Sequence, residues 1–147
     1  MTEARDRRGR LTRGVVLAVA GVALTGCVPA RPASGSAVDV AAAFYAAVSR
    51  QDGAAACGLL APVTVETLED DADEPCTEAV LDGEVGETLT ARSGGTSGSA
   101  TVAGRQAQVV LADDVLFLTV SGTTWRIVAA GCDPRLDRPY DCVLEGA

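Results

Sequence analysis

The 147-residue chain contains neither histidine nor lysine; its twelve basic residues are all arginine. Without an imidazole, no Ser-His-Asp or Cys-His relay can be assembled from it. Without an ε-amine there is no Ser-Lys dyad, Schiff base or P-loop. The clustered cations that neutralise phosphates are missing beyond residue 26, where seven arginines face eighteen acids for a formal charge of −11, so nucleic acid is excluded as a partner. The Gly-rich piece Ser93 to Ser99 does not match GxGxxG and precedes a strand pattern, which makes it a hairpin loop. No cofactor is implied.

What is present begins at the N-terminus. Arg5, Arg7, Arg8, Arg10 and Arg13 form a charged start, and Gly14 to Leu24 form an apolar run of secretory-signal length. As a helix that run covers roughly 16 Å, well short of a bilayer core of about 30 Å, so a transmembrane span is disfavoured. Leu24-Thr25-Gly26-Cys27 follows, and these four residues resemble the lipobox of bacterial lipoproteins. The resemblance covers only the first 27 residues. It implies a diacylglyceryl thioether on Cys27, cleavage just before it, and a protein held by acyl chains such as palmitate on the extracytoplasmic face of the cell membrane. Two acyl chains suffice for stable anchoring, since each buried methylene contributes about 0.8 kcal/mol. Arg7-Arg8 hints at twin-arginine export, but Arg10 stands where that motif carries an apolar residue, so the export route stays open.

The expected organisation is a signal peptide over 1–26, a lipidated Pro/Ser/Gly tether over 27–36, and one domain over 37–147. Apart from Cys27, the cysteines are Cys57, Cys76, Cys132 and Cys142, an even number in an exported chain. That favours disulfides over a zinc site, for which there is neither a CxxC pair nor a histidine. Three pairings are possible. Cys57 with Cys76 and Cys132 with Cys142 is preferred, because both close short loops, each adding roughly 3 kcal/mol.

Within the domain, Val40, Phe44, Ala47 and Val48 recur at helical spacing beside Ala41 and Tyr45, and Asp52-Gly53 ends the run. Asp52 caps a second helix over Ala54 to Leu60, which Pro62 is expected to end, and Pro75 opens another around Cys76 to Leu81. After Gly83 the pattern reads as strands: Glu87 to Arg92, Ser99 to Ala103, Gln106 to Ala112, Val115 to Ser121 and Thr123 to Ala130. Helices followed by a four- to five-stranded antiparallel sheet make an α+β domain. Val115 to Ser121 is apolar on both faces, Val115 and Phe117 on one and Leu116, Leu118 and Val120 on the other. The second face needs cover from the C-terminal tail or from a partner, so a homodimer or an envelope protein partner is possible.

The stretches AAAFYAAVSRQDGAAACGLLAP, ATVAGRQAQVV and TTWRIVAAGC resemble the nuclear transport factor two-like superfamily, the ketosteroid isomerase-like cone. The resemblance spans nearly the whole mature domain and implies helices packed on a curved sheet. It fixes no activity, because the superfamily hosts enzymes, binding proteins and accessory domains. For a cone enzyme it would nominate Tyr45, Asp113 and Asp114 for proton transfer and Tyr45 and Trp125 as pocket residues. Core packing for Tyr45 and Trp125, and a turn for Asp113-Asp114, are the plainer readings.

Ten acids lie between Glu66 and Glu87. Counted from Asp71 as an EF-hand, Pro75, Cys76 and Asp82 all depart from the ligand pattern, so a solvated acidic face is preferred and no metal is expected. The leading expectation is a lipid-anchored binding or interaction module. The alternative is a small cone enzyme of isomerase or hydratase type acting on an apolar molecule, which requires a hollow core rather than one filled by Phe44, Leu59, Leu60, Phe117 and Trp125.

Overall fold

In the computed structural model the described residues are 33–146; Cys27, the signal segment and most of the tether lie outside them. Helix α1, Ser34–Ser49, begins three residues inside the stretch read as tether, its start held by the Ser36 Oγ to Ala33 O bond. It buries Ala37, Ala41, Phe44, Tyr45 and Val48, a stripe at three- and four-residue spacing. It ends where Gln51 turns left-handed at φ 56°. The Asp52 carboxylate then accepts from Ala55 N at 3.0 Å and caps α2, Gly53–Cys57. A Cβ at Gly53 would stand 1.9 Å from Thr77 O, so only glycine lets α2 approach α4, Cys76–Ala79, this closely.

Two helices were not expected. Pro62 does not merely end the preceding segment; it opens α3, Pro62–Ala72, where a proline at the first turn sacrifices no hydrogen bond. Thr64 and Leu68, four apart, are its buried face. Residues Glu87 to Arg92, read as a strand, belong to α5, Gly83–Ala91. The alternation of Thr88, Leu89 and Thr90 imitates a strand, but Val85 and Leu89 share a helical face and Leu89 is fully buried.

Five strands form one antiparallel meander in the order β1-β2-β3-β4-β5: β1 Gly98–Ala103, β2 Gln106–Leu111, β3 Val115–Ser121, β4 Thr124–Arg135 and β5 Arg138–Glu145. β4 runs five residues beyond the expected end because β5, formed by the tail, pairs with it. Ala107, Val109 and Leu111 of β2 point inward as their alternation requires. So do Leu116, Leu118 and Val120 of β3. α1 lies against β1, β2 and β4, and the core between them is filled by Phe44, Tyr45, Leu60, Leu116, Leu118, Trp125 and Ile127. Burying each such side chain contributes about 1.5–3 kcal/mol. Phe117 is not among them. It lies on the outer face of the sheet, edge-on to Tyr140 of β5 at 5.1 Å. The tail therefore covers part of that face, while Val110 remains 44% exposed.

Cys57–Cys76 joins α2 to α4, and Cys132–Cys142 joins paired residues of β4 and β5, the preferred pairing in both cases. Among the described residues no helix is long and apolar enough to cross a membrane.

Candidate functional site

Two places gather the chemistry of this domain. The first is inside it. Asp114 sits in the turn between β2 and β3, as Asp113-Asp114 suggests, but only Asp113 is exposed; the Asp114 side chain is buried. Its Oδ2 accepts from Tyr45 Oη at 2.5 Å and from Gly131 N at 2.9 Å. Oδ1 accepts from Cys132 N at 2.9 Å and from Arg92 Nη1 at 3.1 Å. A bulged stretch of β4 makes this possible. The register with β3 slips between Val115 and Phe117, and Gly131 takes φ 66°, so two successive N–H groups converge on one carboxylate. A Cβ at Gly131 would also stand 2.4 Å from Val143 Cγ1.

Arg92, just past the end of α5, bridges outward to Asp133 Oδ2 at 2.7 Å. Its guanidinium is held above its ordinary range, first by the bond to Asp133 and then, against some desolvation, by Asp114. The Tyr45 hydroxyl is pushed far above its ordinary value by burial, and further by the charge and hydrogen bond of Asp114. A phenol so placed stays protonated and donates. With four donors the carboxylate is saturated, and the cluster works as a clamp joining α1, α5, the β2–β3 turn and β4.

Trp125, the other expected pocket residue, is buried in the core and donates from Nε1 to Ala33 O at 3.2 Å, fixing where the chain enters α1. Tyr45 and Trp125 are both buried among the side chains of the core. Neither lines the concavities described next.

The second place is on the surface. A groove of about 360 Å³ runs between α3, the α4–α5 junction and β5. Its floor is Leu68, Ala79, Val85, Val143 and Leu144. Its rim carries Asp71 from the end of α3, Glu74 from the loop that follows, Asp82 and Glu84 from the start of α5, and Glu145 from β5. Four of these five belong to the acid-rich stretch read as a solvated face; Glu145 arrives from the tail, whose strand was not expected. Among the described residues none of the five takes part in an ion pair, and no group of three or more acids, cysteines or histidines converges as metal ligands. A smaller depression of about 230 Å³ continues from it, sharing Glu84 and Val143 and reaching Asp141 and Arg92. A third, of about 320 Å³, lies on the outer face around Phe117, Val128, Pro139 and Tyr140.

Compared with known proteins, the chain matches no family model, no curated protein and no solved structure.

Proposed function

We propose that this is a cell-envelope lipoprotein, held by acyl chains on Cys27 at the extracytoplasmic face of the membrane, whose single cone-like domain serves as a binding or interaction module. Leu24-Thr25-Gly26-Cys27 behind a short apolar run supports the anchor, and two disulfides suit an exported domain. The observation that carries binding over catalysis is the closure of Tyr45 and Asp114. Tyr45 is 0% exposed and Asp114 has every carboxylate lone pair directed at a donor, so neither reaches a substrate. The groove, by contrast, is open.

The anchor is tested by Cys27→Ala. The variant is expected to leave the detergent phase or to stall in processing, and unchanged partitioning would refute the lipid. The enzymatic alternative draws on the buried Tyr45–Asp114 pair, since a buried acid or tyrosine performs proton transfer in the cone enzymes that the sequence resembles. It requires the packed core to open. Binding of an apolar probe such as anilinonaphthalene sulfonate to the native domain, lost on replacing Phe44 or Leu116, would bring it forward.

Self-association through the outer sheet face also belongs to this reading, supported by exposed Val110 and half-buried Val115 and Phe117. Leu118 is core, so the informative substitution is Phe117→Glu, with sedimentation equilibrium as the readout.

A further inference from the structure

We infer that the groove beside β5 binds an extended, arginine- or lysine-bearing peptide segment of a partner protein, added as a strand along the β5 edge. This rests on the reading of the domain as a binding module and names its ligand.

The shape asks for something long. The two depressions that share Glu84 and Val143 follow β5 from Glu145 back to Asp141, five residues of strand, roughly 15 Å. A point ion does not suit such a site, since the acids are spread along the rim and form no metal-binding cluster among the described residues.

The chemistry asks for cations on apolar stems. Leu68, Val85 and Val143 give a floor along which methylenes can lie, while the exposed Asp71, Glu84 and Glu145, one from each wall, line the same groove and can pair with a guanidinium or ammonium head. None of these three carboxylates has a cationic partner among the described residues, whereas at the other end of the path Asp141 already pairs with Arg135 and Asp133 with Arg92, so the cations of the peptide are recruited at the Glu145 end.

The backbone asks for a peptide rather than a free amine. β5 ends the sheet, and among the described residues its Val143 to Glu145 stretch makes no backbone bond outside the sheet. An edge strand presents N–H and C=O groups that an added strand can pair with, and side chains at alternate positions of that strand would then face the groove about 6.6 Å apart.

The experiment uses the full-length protein purified in mild detergent and a fluorescent heptapeptide with arginine at positions 1, 3, 5 and 7 and threonine between. Anisotropy at low salt is expected to show saturable binding that weakens as salt rises. The triple variant Asp71→Asn/Glu84→Gln/Glu145→Gln is expected to bind at least tenfold more weakly. An equal loss of charge elsewhere, Asp39→Asn/Glu66→Gln/Asp70→Asn, should change affinity less than threefold.

No saturable binding, or equal losses in the two triple variants, would overturn the site. Two versions of the peptide N-methylated at alternate positions probe the backbone pairing: one of them should lose tenfold or more, and full binding by both would overturn strand addition. Displacement of the peptide by spermine at equal concentration would overturn a peptide in favour of a small polyamine. Membrane retention of the same protein is scored separately. Retention without peptide binding removes the groove alone, whereas peptide binding by a protein that is not retained removes the anchor alone.

Discussion

The interior around Asp114 and the groove beside β5 use the same functional group in opposite ways. Inside, one carboxylate is surrounded by four donors, so the cost of removing a charge from water is offset by short, directed bonds, and the charge becomes a structural pin. Outside, five carboxylates share a concave surface without a cation among the described residues. They stay hydrated, repel one another mildly, and lend the fold little. A carboxylate's role is decided by what its surroundings donate to it.

The contrast is broken most severely at its centre. Asp114→Ala leaves a guanidinium, a phenol and two backbone N–H groups facing a void, and is expected to cost about 3–5 kcal/mol of stability in urea unfolding. A loss below about 1 kcal/mol would mean that water replaces the carboxylate and that the clamp is not a clamp. Tyr45→Phe removes one donor to a charged acceptor and keeps the ring. It is expected to cost about 1.5–3 kcal/mol, again by denaturant midpoint at constant slope.

The same pair has a pH signature. Tyr45 is raised in the folded state, so its contribution is fully present below the unfolded tyrosine value of about 10 and is lost as pH climbs from there toward the folded value. Stability is expected to fall as pH rises above about 10, with a slope that approaches about 1.4 kcal/mol per pH unit roughly one unit higher, and this contribution should vanish in Tyr45→Phe. Identical alkaline profiles for the two proteins would show that Tyr45 ionises normally.

The smallest effect belongs to the groove. Asp71→Asn/Glu84→Gln/Glu145→Gln should leave the unfolding midpoint unchanged or slightly raised, most visibly at low salt, since it removes like charges from an exposed rim. A marked destabilisation would show that these acids are structural after all.

Much of the fold was legible because it is written locally. The stripe of α1, the Asp52 cap, the alternation of β2 and β3 and the short spacing of each cysteine pair depend on neighbours a few residues away. α3 and α5 were hidden for a local reason too. Pro62 carries equal weight as an end and as a beginning, and Thr88-Leu89-Thr90 fits a period of two as well as a helical turn. What selected the helix was the burial of Leu68 and Leu89 against the rest of the domain. β5 lay in a short, charged, proline-containing tail where the alternation of Tyr140, Cys142 and Leu144 is blurred by Val143, and it exists because β4 offered an edge and Cys132 a partner.

The amino-acid sequence by itself determined which chemistries are absent, the negative charge, the number of cysteines, the resemblance of the first 27 residues to a lipoprotein signal, and the helical and strand character of segments whose pattern matches one period only. Tertiary structure alone decided that Asp114 is a buried pin and Asp113 a surface turn. The donors to Asp114 come from positions 69, 22, 17 and 18 residues away, and no local pattern records such convergence. It also decided that four acids of the 66–87 stretch share a groove with Glu145. Distance along the chain carries no information about which charges meet once hydrophobic burial has folded it.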